Sequence, residues 1–384
     1  MFEMTFRLLA LTIVISARLL VAQSTFEGAP AIPFSNDRLQ LLVLPQGSSI
    51  ASIVLKADSQ KMNPLWNPMR LERESGQKVE FNPGTGHFLC LDGFGPMSPE
   101  ERAAGLPFHG EAHEAHWETK YQDKQGSTFA LTLAAELPIL QERVERTLRL
   151  VDGEQVVYVE TQVESMLGFD RPMVWAEHAT AGSPFLEPGV TLIEISATKS
   201  RTRPYVKQTG ELPNRFPSGK DFVWPWAPGA DGKKVDMRIT PAHPDSGGHT
   251  TSIMDRNRKL AFITFFNPRM GLLLGYLFKP EDFPWVQSWE DFPPTGKLAR
   301  GLEFATQPFD IPRREAIQMN SMFGTPTYRW LPAKSVVKTR FLIFYTKTPS
   351  TFKKVDDVRI EGSSVVIEDK GSKQKVLLAA SLPL

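Results

Sequence analysis

The chain has 384 residues, with 44 Lys and Arg against 43 Asp and Glu, 41% hydrophobic residues and one cysteine, Cys90. Such a balance suits a globular protein with a sizeable core, and a net charge of +1 leaves no electrostatic excess to draw the protein to nucleic acid or to an anionic membrane. A single cysteine excludes an intramolecular disulfide, so packing must supply the stability.

Residues 1–23 have the order of a secretory signal. Arg7 precedes an apolar stretch from Leu8 to Ala17, then Arg18 and Leu-Leu-Val-Ala-Gln, with the small residue Ala22 near a plausible cleavage point. Arg18, a charge late in the apolar stretch, departs from that order, so the expectation is a periplasmic or secreted protein, free of the membrane once processed, or otherwise a cytoplasmic one; no other stretch approaches the ~20 apolar residues of a spanning helix.

Beyond the leader, strands dominate. Leu39 to Leu44 and Ser52 to Leu55 are the first candidates. Phe129, Leu131 and Leu133 alternate with Ala130, Thr132 and Ala134, and Val144, Leu148 and Leu150 alternate with Arg143, Glu145, Thr147 and Arg149, the period-2 pattern of half-buried strands. Asp152-Gly153 reads as a tight turn into Val156 to Glu160. Further candidates are Val190 to Ser196, Leu260 to Phe266, Leu272 to Phe278 and Thr339 to Tyr345, with a last hairpin of Val365 to Glu368 and Val376 to Leu378. Amphipathic helical patterns are almost absent, and 31 prolines interrupt the windows where they could run. The reading is all-β: one large antiparallel sandwich over residues 24–347 and a C-terminal extension, 348–384. Asp92 to Gly110, Pro204 to Pro228 and Asp282 to Gly296 read as long loops, which in compact folds tend to be functional.

Four segments concentrate chemistry. Pro107-Phe108-His109-Gly110-Glu111-Ala112-His113-Glu114-Ala115-His116 holds three histidines, but their spacing fits neither one strand face nor the H-E-x-x-H of zinc proteases, so no metal site is expected. His113 and His116 read as surface residues, while His109, between Phe108 and Gly110, is the harder one to dismiss. His178 ends an apolar strand before the small-residue run Ala179-Thr180-Ala181-Gly182, where a scaffold presents a reactive side chain. Pro284-Trp285-Val286-Gln287-Ser288-Trp289-Glu290-Asp291 offers aromatic faces for a sugar ring and polar groups for its hydroxyls. Glu303 lies between Leu302 and Phe304, hence on the opposite strand face; if that face is a partly desolvated site the carboxylate suits a general base, and if it is solvent Glu303 is only a polar strand residue.

Together these segments resemble the aldose 1-epimerase, or galactose mutarotase-like, family. Asn63-Pro64-Leu65-Trp66 is similar to its N-x-L-W region. Leu106 to Gly110, followed by Trp117, is similar to its H-G segment, and His178 to Gly182 to its H-x-Y-F-N-L-x-G segment. Val235-Asp236-Met237-Arg238 resembles its D-x-R loop, and Gly301 to Asp310 its l-E-x-Q-x-x-P-D strand. The match runs over roughly residues 38 to 347. It implies a β-supersandwich, with Glu303 as base on the anomeric hydroxyl and His178 as acid at the ring oxygen. It also implies His109 and Asp236 as holders of sugar hydroxyls, with Gln287 and Trp289 as weaker candidates for the cleft wall. The substrate would be a monosaccharide or modified sugar, and acid–base ring opening needs neither metal nor organic cofactor. The pattern departs in three places: Ala-Thr-Ala follows His178, the end of the Glu303 motif reads Phe-Asp-Ile-Pro-Arg, and no arginine matches the one preceding the family's H-G segment. These departures keep sugar binding without turnover open, and because related sandwich folds occur in polysaccharide-active enzymes, so does glycan cleavage with Glu290 or Asp291 as a second carboxylate.

Overall fold

The computed structural model describes residues 24–204 and 212–384, so the leader-like segment lies outside the described residues. Two large antiparallel sheets carry the fold. One has eight strands, with Val336–Lys347 at its middle between Leu272–Phe278 and Val156–Ser165. The other has twelve. Across its centre run Ser246–Met254, Trp285–Phe292, Ala299–Ala305, Trp175–Gly182 and His87–Leu91, in that order.

The sheets stack through their apolar faces. Leu131, Leu148, Val159 and Ile343 of the eight-stranded sheet share one cluster with Leu89, Trp175, Leu302 and Phe304 of the other. Each fully buried side chain of this kind contributes roughly 1.5–3 kcal/mol. The alternation visible around residues 129–150 therefore marks strands with one face in this core, and they run Thr128–Leu137 and Glu142–Val151. Their neighbour Glu118–Gln125 is exposed along its whole length, a charged edge strand with no apolar pattern to announce it.

Four expectations change. Pro204 to Pro228, of which 205–211 lie outside the described residues, is not all loop but contains the short strands Asp221–Val223 and Trp226–Pro228 at one end of the twelve-stranded sheet. Asp282 to Gly296 is no loop but contains the strand Trp285–Phe292, whose Val286 and Phe292 join the inter-sheet core while Gln287 and Trp289 take the other face. Asp92 to Gly110 contains a short helix, Pro99–Ala103, closed by a capping box in which Ser98 and Glu101 satisfy each other's backbone. The C-terminal hairpin gains a third strand, Asp357–Glu361. The resulting sheet packs Val358, Val365 and Ile367 onto Tyr158, Phe262 and Phe344, on the outer side of the eight-stranded sheet.

Charged groups also tie the sheets together. Arg146, from the eight-stranded sheet, meets Glu177 at 3.0 Å, and His87 Nε2 lies 2.8 Å from the same carboxylate. All three are fully buried. Burial opposes the charge on Glu177, but Arg146 and His87 outweigh it and hold its carboxyl below the ordinary range. His87 is itself held below the ordinary imidazole value by burial, only partly offset by Glu177. The cluster is thus an ionised carboxylate facing Arg146 and a neutral His87.

A second buried group joins Asp92 and Glu142, both bound by Arg171, with Arg313 at 3.5 Å from Asp92 and in turn 3.4 Å from Glu101. Burial, and then Asp92, push the Glu142 carboxyl well above its ordinary value. A raised acid stabilises the fold below its unfolded-state value and loses that contribution as pH climbs through its folded value. Glu142→Gln should remove this term. In urea unfolding between pH 5 and 8, wild type is therefore expected to lose stability relative to E142Q as pH rises, and parallel curves would contradict the assignment.

Candidate active site

The site lies on the face of the twelve-stranded sheet turned away from the eight-stranded one. Along Trp175–Gly182, Trp175, Glu177, Ala179 and Ala181 point into the inter-sheet core, so alternation sends His178 and Thr180 to the opposite face. The same logic turns Leu302 and Phe304 inward and Glu303 outward. The register that pairs Glu177 with Phe304 and Thr180 with Gly301 sets His178 opposite Glu303. Nε2 of His178 lies 3.0 Å from Oε1 of Glu303, and both side chains are buried. Nδ1 of His178 lies 2.8 Å from the hydroxyl of Thr180.

Gly301 makes room for this pair. A Cβ there would stand 2.3 Å from Oε1 of Glu303 and 3.0 Å from its Cδ, so the carboxylate lies over a position that only hydrogen can occupy. Gly301→Ala is expected to leave the fold intact and push the carboxylate off His178, lowering the turnover proposed below by at least about 10-fold, the scale of a lost acid–base contact. A fingerprint NMR spectrum beside an activity assay checks both halves. Unchanged turnover in the folded variant would refute the positioning role.

Around the pair opens a cavity of about 430 Å³ lined by Trp66, Phe88, His109, His249, Trp289 and Asp310, among others. Phe88 stacks on the His178 ring, with centroids 4.2 Å apart and planes at 18°. Trp289 meets the His178 ring at 6.4 Å and packs edge-on against Trp66 at 5.7 Å. His109 is 5.2 Å from the His178 ring, and its Nδ1 accepts from the Gly95 N–H at 3.1 Å, which leaves the proton on Nε2. Burial first, and then the neighbouring His178 and His113, hold His109 well below the ordinary imidazole value. His109 also has a left-handed backbone (φ 68°), a conformation uncommon for a residue with a Cβ.

His178, Glu303, His109 and Trp289 are thus brought together. Two other sequence candidates are not in the lining. Asp236 borders a different cavity beside Leu192 and Glu194, and its carboxylate is bound by Arg238. Gln287 is fully buried behind the wall, where its Oε1 accepts from His249 Nε2 at 2.8 Å and its amide donates to the Gln307 carbonyl. His113 is no surface residue. It is buried at the cavity wall, donates from Nδ1 to the Gly110 carbonyl, and is pushed down by burial to about 4. His116 is exposed, as read from the sequence. Among the described residues, no group of three or more His, Cys, Asp or Glu is placed to hold a metal.

His249 and Asp310 escaped the sequence reading as site residues. His249 sits in the small-residue run Ser246-Gly247-Gly248-His249-Thr250-Thr251, which gives no apolar rhythm. Its Nδ1 stands 3.2 Å from Asp310, which is also bound by Arg203 at 2.7 Å. Asp310 reaches this place because the loop turns tightly against Gly95, where a Cβ would fall 2.7 Å from that of Asp310. Glu290, a candidate second carboxylate, faces the other way and is buried against Arg300 and Arg215. Asp291, the other, is not among the residues lining the cavity.

No protein-family profile and no curated protein matches this chain in sequence. Solved structures do match in shape. A galactose mutarotase-like protein from Lactobacillus casei aligns over 82% of this chain and all of its own, at 15% identity and a TM-score of 0.54. A galactose mutarotase related enzyme from Lactobacillus acidophilus aligns over 86% of this chain and all of its own, at 12% identity and a TM-score of 0.55. A galactose mutarotase-like protein from Clostridium acetobutylicum aligns over 85% and 98%, at 11% identity and a TM-score of 0.55. The chain therefore has the galactose mutarotase-like fold.

Proposed function

We propose that the protein interconverts the anomers of an aldose by acid–base ring opening and closing. The observation that carries this reading is the direct approach of Glu303 Oε1 to His178 Nε2, 3.0 Å, inside one cavity. In the forward step Glu303 takes the proton of O1 while His178 gives its Nε2 proton to O5. The C1–O5 bond breaks and C1–O1 becomes a carbonyl. Rotation about C1–C2 and reversal of both transfers closes the opposite anomer, so no net proton is consumed. Trp66, Phe88 and Trp289 supply flat apolar surface around the pair, and His109 offers an Nε2–H to a hydroxyl. Glycosidic cleavage uses two carboxyl groups about 5–9.5 Å apart across the scissile bond; Glu290 is turned away and Asp291 does not line the cavity, while Asp310, which does, is held by Arg203 and His249.

The lining also bears on the sugar. Among the described lining residues there is no Lys or Arg, while Glu114, Glu303 and Asp310 are carboxylates. Neutral aldoses are expected to be turned over at least about 10-fold more efficiently than their phosphate esters or uronic acids, as like-charge contacts cost of order 1 kcal/mol or more. Exchange NMR at anomeric equilibrium, run with each sugar, measures the ratio. Equal efficiency would contradict the charge argument, and binding without exchange of any aldose would favour a binding protein instead.

A further inference from the structure

Thr180 is fully buried, and its hydroxyl stands 2.8 Å from the one nitrogen of His178 that faces away from Glu303. We propose that Thr180 is a positioning residue that holds the proton on Nδ1 of His178, so that only Nε2 exchanges a proton with the sugar. The inference rests on the anomerisation reading for its kinetic consequence, but not for its structural one.

Proton bookkeeping leads to this role. For the ring to give a proton from Nε2 and remain neutral, it must start as imidazolium, with protons on both nitrogens, opposite an ionised Glu303. After the transfer the proton left on the ring is the one on Nδ1, and Nε2 carries the lone pair that must later take the proton back. Nδ1–H is buried and needs an acceptor throughout, since an unpaired buried donor carries a large desolvation cost. A hydroxyl has acceptor lone pairs and can meet that need. Were Nδ1 left without an acceptor, the neutral ring would keep its proton on Nε2, against Glu303, and could not take the return proton from O5.

The local structure holds Thr180 to this task. It lies two residues from His178 on one strand, so both side chains share a face. Its backbone is fixed on both sides, with N–H to the Gly86 carbonyl at 3.3 Å and its own carbonyl accepting from Trp66 N–H at 2.9 Å. Across the sheet it faces Gly301, which has no side chain to displace it. The isosteric Thr180→Val keeps the β-branched shape at a buried strand position and removes only the acceptor.

Two readouts test this in the full chain. In proton and nitrogen NMR of protein labelled at histidine, acidified until His178 is imidazolium, the Nδ1–H of wild type and of Thr180→Ser should give a slowly exchanging downfield resonance that Thr180→Val loses. In anomer exchange, Thr180→Val should lower kcat by about 10- to 100-fold with KM within two-fold, and Thr180→Ser should restore kcat to within a few-fold of wild type. A Thr180→Val protein that keeps the Nδ1–H signal, or one that keeps wild-type kcat, overturns the proposal. A wild type with no exchange activity but with the predicted NMR pattern would defeat the anomerisation reading and leave the hydrogen bond assigned. A backbone fingerprint spectrum establishes that each variant is folded.

Discussion

Glu303→Gln is expected to lower kcat/KM for anomer exchange by roughly 10²- to 10⁴-fold, the contribution typical of a positioned acid or base. The amide keeps the size of the carboxylate and can keep its place over Gly301, so the cavity and its affinity for sugar should survive. What it loses is the capacity to take the O1 proton. The effect should therefore fall on kcat, with KM nearly constant, because the proton transfer is made in the transition state and not in the bound ground state. A variant that lost affinity and kept its turnover number would place Glu303 among the binding groups and leave the reaction without a base.

Arg146→Met carries the largest expected effect on stability. Arg146 is fully buried and is the cation that offsets the charge of Glu177, 3.0 Å away, in the core between the two sheets. Removing one partner of such a pair leaves an uncompensated buried charge and costs about 3–5 kcal/mol, far more than the loss of a surface ion pair. The carboxylate cannot turn to solvent, because Glu177 is locked in a central strand with Trp175 Nε1 and His87 on its oxygens. Arg146→Met combined with Glu177→Gln removes both charges and should recover a substantial part of the loss. Urea unfolding of the single and double variants measures the two terms. A single variant within about 1 kcal/mol of wild type would mean that the pair contributes no more than an exposed one. Glu177 immediately precedes His178, so a strand that shifts to relieve the charge would also move the His178 imidazole away from Glu303.

The strands around residues 128–165 were legible because each puts one face in the inter-sheet core and the other in a less apolar setting, which writes period 2 into the sequence. Strands beneath the site were not. Trp285–Phe292 is largely buried on both faces, with Gln287 and Trp289 on one and Val286, Ser288 and Glu290 on the other, so polarity follows partners and not exposure. Ser246–Met254 is buried from Gly247 onward yet begins with small and hydroxylic residues, because its site face carries His249 and Gly248 leaves room for Phe216. Of the site, Glu303 could be picked out because it stood alone between Leu302 and Phe304, and His178 because it ended an apolar strand just before the small-residue run Ala179 to Gly182. Asp236 misled for a physical reason: its neighbour Arg238 claims it locally, and the polar far wall of the cavity comes instead from His249 and Asp310. Those two meet only through the register of Ser246–Met254 and the loop passing Gly95, contacts that no local pattern encodes.

The central claim is that Glu303 and His178 work as one acid–base pair on a sugar ring. Its most direct test follows freshly dissolved α-galactose and α-glucose to anomeric equilibrium by polarimetry, with wild-type protein and with Glu303→Gln. The account predicts acceleration proportional to wild-type concentration for at least one sugar, and near-background rates with the folded variant. Equal acceleration by both proteins, or binding of these sugars by wild type with no acceleration at all, would contradict it.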